Sequence, residues 1–183
     1  VGGENYLVTA AHAAKDCLKS GFLCFHNDGT TYFQGTAYLD EADTIDIGIL
    51  KIDKIIGAGS FNIIREDMIF DGIISPDDVC SIMGFPATKT RLDRRNYLIS
   101  SKNYVYYGLC CDHEIYLKNM LNEKDNIAVE FIQKECVSHE NIQFTFPSPN
   151  GMSGGSIWYY DMEKNKVFFA GIATTHKKNE CIY

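Results

Sequence analysis

Pro149-Asn150-Gly151-Met152-Ser153-Gly154-Gly155-Ser156-Ile157-Trp158 places a serine among three glycines, just ahead of the apolar run Ile157 to Tyr160. Glycine loses more conformational freedom on folding than any other residue, so such density serves something other than stability. It permits backbone angles and close approaches that a Cβ forbids. A serine on such a turn, leading into a strand, is a candidate nucleophile with backbone N–H groups beside it. A Gly/Ser hairpin loop is the plainer reading of the same stretch.

On either side of this turn the chain reads as short strands separated by turn residues. Tyr6 to Ala10 is rich in β formers and runs into Ala10-Ala11-His12-Ala13-Ala14, a strand feeding one helical turn. Gly21–Phe25 and Thr31–Tyr38 are predicted strands joined by an Asn27-Asp28-Gly29 turn. Asp46 to Ile52 is another, with Ile47 and Ile49 alternating and Leu50 breaking the alternation. Gly57 to Ser60 reads as a loop, Val79 to Phe85 as an apolar strand closed by Gly84 and Pro86, and Arg91 to Arg95 as a charged bend. Asn96 to Leu109 reads as one long aromatic strand, and Ile115 to Asp125 as a helical turn or loop. Ile127–Ile132, Ile142–Phe146 and Lys166–Thr175 complete the expected strands. Many short strands and little helix predict an all-β barrel or sandwich, with a division near residue 75.

The 183 residues suit one compact domain or two small barrels, and 45% hydrophobic with 22% charged residues is an ordinary globular composition. A net charge of -7 argues against a general nucleic-acid or anionic-membrane binder. There is no long apolar run and no signal-peptide pattern. The seven cysteines, Cys17, Cys24, Cys80, Cys110, Cys111, Cys136 and Cys181, form no framework pattern, and two are adjacent. An odd set of this kind fits reduced thiols and a cytoplasmic location.

A serine hydroxyl is a poor nucleophile until a base takes its proton, and that base needs an acceptor to hold one tautomer. His12 stands at a strand end and Asp46 at a strand start, so the order is His, Asp, Ser. Asp40 and Asp43 are neighbouring carboxylates, but Asp46 directly precedes the apolar strand. Leu7-Val8-Thr9-Ala10-Ala11-His12, Asp46-Ile47-Gly48-Ile49-Leu50 and Gly151-Met152-Ser153-Gly154-Gly155-Ser156 resemble the histidine, aspartate and nucleophile motifs of trypsin-like (chymotrypsin-fold) serine proteases. Gly84-Phe85-Pro86 and Gly171-Ile172 resemble barrel landmarks of bacterial members.

The resemblance implies two antiparallel six-stranded-type β-barrels: residues 1–75 carrying His12 and Asp46, and residues 76–183 carrying Ser153. It implies a serine endopeptidase acting on a protein or peptide substrate without a cofactor or metal. Ser153 attacks, His12 relays the proton, Asp46 orients His12, and the N–H groups of Gly151 and Ser153 form the oxyanion hole. Pro147 to Asn150 and Ala173 to His176 line the substrate pocket. Thr174 occupies a position that often supports the aspartate.

The chain also departs from the pattern. Met152 stands where activated members carry an aspartate that pairs with a new N-terminal ammonium, so no activation of that kind is expected. His12 comes early and the end at Tyr183 is abrupt, so the reading is of a fragment whose first barrel is incomplete, with fused domains elsewhere and an activity of its own left open. No cysteine adjoins His12 for the usual histidine-loop disulfide. Pro147 occupies the position where an aspartate specifies Arg or Lys substrates, so a basic preference is not expected. His176 is near enough in sequence to reach the pocket and favour acidic or polar side chains, or it is a loop histidine beside Lys177 and Lys178. Two alternatives accompany the protease reading. One is a protease-like binding module without catalysis. The other is a zinc-stabilised interaction domain built on the Cys-x-x-His pairs Cys110/His113 and Cys136/His139.

Overall fold

A computed structural model describes residues 4–18, 22–26, 29–40, 45–57, 62–93, 95, 98–138 and 140–183. The chain divides into two compact units, Val1–Ile69 and Phe70–Tyr183. It is predominantly β, and every strand pairing is antiparallel. Among the described residues each sheet has two ends and none closes into a barrel. No described helix is long and apolar enough to cross a membrane.

The first unit contains β1 (Asn5–Ala10), α1 (Ala11–Leu18), β2 (Phe22–His26), β3 (Gly29–Leu39) and β4 (Ile47–Gly57). They form one sheet in the order β1-β4-β3-β2. Its core is Ala14, Phe33 and Leu50, with Leu7, Ala37, Leu39 and Ile52 packed on it. Leu50 is thus the inward residue of β4, on the same face as Gly48, while Ile47 and Ile49 are only half-buried. Local alternation alone places the isoleucines on one face. The helix reverses it, because α1 lies on the Gly48 and Leu50 face and removes that face from water. Asn27 and Asp28 of the expected turn, and Ala58 to Ser60 of the expected loop, lie outside the described residues.

The second unit contains β5 (Val79–Gly84), β6 (Thr90–Asp93), β7 (Leu98–Ser101), β8 (Tyr104–Leu109), α2 (His113–Asn119), β9 (Val129–Glu130), β10 (Cys136–Val137) and β11 (Gln143–Phe144). It continues with β12 (Ser156–Asp161), β13 (Lys166–Ile172), β14 (His176–Lys177) and β15 (Cys181–Ile182). The main sheet runs β13-β12-β5-β8 and a second runs β14-β15-β9; β6 with β7 and β10 with β11 make two hairpins. The expected long aromatic strand is two strands, β7 and β8, that serve different sheets. The expected bend at Arg91 is part of β6. Pairing decided both: β7 folds back on β6 as a hairpin, while β8 joins the more distant β5.

The core of this unit joins Ile82 of β5, Ile157 of β12 and Ile182 of β15 to Phe131 and Phe146. Phe131, Phe146 and Tyr106 meet edge to face, with centroids 4.9–5.7 Å apart, the arrangement the ring quadrupoles favour. Burial pushes the Tyr106 phenol up to about 12, so it stays neutral at any ordinary pH.

Candidate active site

His12 is the second residue of α1, a helix that starts without an acidic residue in its first turn. The first N–H groups of a helix have no partner within it. Asp46, across the sheet at the start of β4, supplies both acceptors: its carbonyl takes the Ala11 N–H at 2.7 Å and its Oδ1 takes the His12 N–H at 3.0 Å. Its other carboxylate oxygen, Oδ2, lies 2.6 Å from His12 Nδ1. Asp46 therefore caps the helix and holds the ring of the residue it caps. A carboxylate at this end is also favoured by the helix dipole.

Asp46 has φ +54°, a left-handed conformation that Asp and Asn enter more readily than other side chains. The small residues around His12 bring the helix close. A Cβ on Gly48 would lie 2.8 Å from Ala14 Cβ and 3.2 Å from Ala11 Cα. Ala11 and Ala14 are buried while the His12 side chain is 54% exposed. The Ala-Ala-His-Ala-Ala pattern thus ends a strand and starts a helix that buries Ala11 and Ala14 against β4 and presents the imidazole outward. Because Nδ1 is taken by Asp46, the free ring nitrogen is Nε2. Of the competing carboxylates, Asp43 lies outside the described residues. Asp46 is the one bonded to His12.

Ser153 sits in the second unit, on the turn before β12. Met152 N–H donates to Pro149 O at 2.9 Å, Gly154 N–H to Ala173 O at 2.7 Å and Gly155 N–H to Met152 O at 2.8 Å. The N–H groups of Gly151 and Ser153 have no acceptor among the described residues. Carbonyl and N–H point in opposite directions across a trans peptide, and no peptide here is cis. The Asn150 carbonyl is held by Ala87 N–H at 2.8 Å and the Met152 carbonyl by Gly155 N–H. Each bond fixes a peptide plane and leaves the N–H on its far side open. The Asn150-Gly151 plane needs Gly151 at φ +89°, where a Cβ would also meet Ala87 N at 2.8 Å.

Met152 is 2% exposed and packs in the core; a Cβ on Gly84 would come within 3.0 Å of its Cβ. The residue before Ser153 thus anchors the turn by burial. Met152→Ala is expected to destabilise the second unit by about 2–5 kcal/mol, the cost of a methionine-sized cavity. A urea titration monitored by Trp158 fluorescence reads this directly; an unchanged midpoint would contradict the anchoring role.

A cavity of about 120 Å³ lies beside the serine, lined on one side by Pro149 to Ser153 and on the other by Ala173 to His176, with Ile182. Asn150, Thr174 and His176 are on its wall as the sequence implied, whereas Pro147 is not. Ser153 Oγ donates to Thr174 O at 3.2 Å. The Thr174 hydroxyl donates to Tyr183 O at 3.1 Å, so its single hydrogen is committed within this unit. Tyr183 O also accepts the N–H groups of Thr174 and Thr175. Ala87, Ile182 and Tyr183 were invisible as site residues in the sequence. All but Ile182 act through backbone atoms, which residue identity does not encode.

Comparison with protein-family models and with curated proteins returns no match.

Of the Cys-x-x-His residues, Cys110 and Cys136 share the main core. Cys110 and Cys111 turn to different partners, His113 pairs with Glu123, and His139 lies outside the described residues. Among the described residues no three His, Cys, Asp or Glu side chains are placed to hold a metal ion.

Proposed function

We propose that this chain is a serine endopeptidase of the trypsin-like type, with two β-barrels and His12, Asp46 and Ser153 as its triad. The observation that carries the reading is the pair of open N–H groups at Gly151 and Ser153, each the reverse side of a pinned carbonyl. A loop that merely turned would have no need to hold two donors beside a serine. The His12–Asp46 pair supplies the second half, a base whose tautomer is set by a carboxylate.

In this reading Ser153 Oγ gives up its bond to Thr174 O and attacks the scissile carbonyl as His12 Nε2 takes the proton. The carbonyl electrons move onto oxygen, which the two N–H groups receive; each such donor contributes about 2.7–4 kcal/mol to the transition state. Asp46 stabilises the imidazolium, which then protonates the leaving amine. Water, deprotonated by His12, releases the acyl group. The test is labelling with a fluorophosphonate probe. Wild type takes one equivalent at Ser153 and Ser153→Ala takes none; absence of label on the folded wild type would leave a binding module.

The cavity predicts the substrate. Its inner surface is apolar, from Met152, Ala173 and Ile182, and its rim carries Asn150, Thr175 and His176. Among the described residues no carboxylate lines it. A side chain with an acidic or amide end, preceding the cleaved bond, is expected to be favoured over lysine or arginine. A hydrogen bond to a charged group contributes about 1.5–3 kcal/mol, so His176→Ala should lower kcat/KM for a glutamate substrate about ten- to a hundred-fold. A peptide-library profile dominated by basic residues would reject this.

A further inference from the structure

Cys110 and Cys111 follow β8 side by side, and successive residues of an extended chain point to opposite faces. Cys110 enters the main core, where its Sγ lies 3.4 Å from Cys80 Sγ of β5. Cys111 enters a separate cluster with Tyr116, Ala128 and Cys181 of β15. All four thiols are free, and none is more than 9% exposed. Two adjacent cysteines, each seated against a different partner, are more than packing requires, since a buried thiol packs as a small apolar group without a second sulfur.

We propose that Cys110-Cys111 is a redox junction, forming one disulfide with Cys80 and another with Cys181 on exposure to hydrogen peroxide. A disulfide needs its sulfurs at about 2.0 Å, so the Cys80–Cys110 pair closes by about 1.4 Å. In each pair one sulfur attacks the peroxide, the O–O bond breaks, and a sulfenic acid and water form. The partner sulfur then displaces the sulfenic oxygen as a second water. Two thiols are oxidised by two electrons and one peroxide is reduced to two waters. In the second pair the neighbouring Cys111 holds the Cys181 thiol below its ordinary pKa, which favours Cys181 as the first sulfur to react.

The two bonds would tie the end of β8 to the strands on both sides. One link reaches β5, in the core. The other reaches β15, whose Ile182 lines the cavity and whose neighbour Tyr183 holds Thr174 and Thr175. The proposal is independent of the peptidase reading. It is tested on the full chain by treating reduced protein with hydrogen peroxide, counting thiols in denaturant and mapping linked peptides by mass spectrometry. Thiols should fall from seven to three, because four enter the two bonds, and the mass should fall by about 4 Da. Dithiothreitol should reverse both changes. Cys110→Ser should retain the Cys111–Cys181 link alone, and Cys111→Ser the Cys80–Cys110 link alone. Fragmentation of the wild-type cross-linked peptides gives the same assignment if a variant fails to fold. A Cys110–Cys111 bond, links through Cys136, Cys17 or Cys24, or oxidation to sulfinic acid without cross-links would overturn it.

Discussion

Ser153→Ala is expected to lower peptide turnover by about a million-fold, the size of the loss when a triad working as a unit is left without its nucleophile. What remains is binding and whatever stabilisation the open N–H groups of Gly151 and Ser153 give to attack by water. The fold should survive. The hydroxyl is half-buried and makes one bond, to Thr174 O at 3.2 Å, and such a bond contributes about 1 kcal/mol net. A protein of this length then loses about 2–4 °C in Tm. Steady-state kinetics alongside a thermal melt separate the two effects. Retention of more than about one part in a hundred of the activity would move the nucleophile elsewhere. Ser156 is a poor substitute, because its Oγ already accepts from Trp158 Nε1 at 2.7 Å.

Asp46→Asn is the sharper substitution, because it leaves nearly everything but a proton in place. Asparagine tolerates the left-handed backbone at φ +54° as aspartate does. Its carbonyl oxygen can still take the His12 N–H, and the backbone carbonyl still takes that of Ala11. The cap of α1 is retained in kind, although the charge that favours the helix dipole is lost. What changes is the group facing His12 Nδ1, now an amide N–H₂ where a carboxylate oxygen lay 2.6 Å away. Two donors cannot share that contact, so the ring gives up its Nδ1 hydrogen and carries it on Nε2. A histidine in that tautomer cannot accept the serine's proton. Turnover is expected to fall by about 10⁴-fold with the fold retained, the loss this change produces in a triad. A loss of less than about tenfold would show that Asp46 serves only the helix end.

Much of this was legible in the chain itself. Strand-like runs at short intervals announced a β protein, since alternation and turn residues are local properties. The glycines around Ser153 marked a turn that needs unusual backbone, and Gly151 occupies it at positive φ. Ala-Ala-His-Ala-Ala already combined a strand end and a helix start. Choosing Asp46 over its neighbours followed from its place at the start of an apolar strand.

Other features depended on which segments meet, and no local pattern records that. Leu50 looked like a break in the β4 alternation until α1 covered its face. Asn96 to Leu109 looked like one strand until two different partners divided it. Pro147 falls off the cavity wall although its position in the motif suggested otherwise. Cys80 and Cys110 stand 30 residues apart in sequence, and nothing in that spacing foretells a contact. The same holds for Ala87, the donor that holds back the Asn150 carbonyl. Residue types and their local periodicity were sufficient for the class of fold and the candidate nucleophile. The open N–H pair, the double duty of Asp46 and the paired thiols were decided by the tertiary structure, because each depends on hydrogen-bond partners that folding brings from elsewhere in the chain.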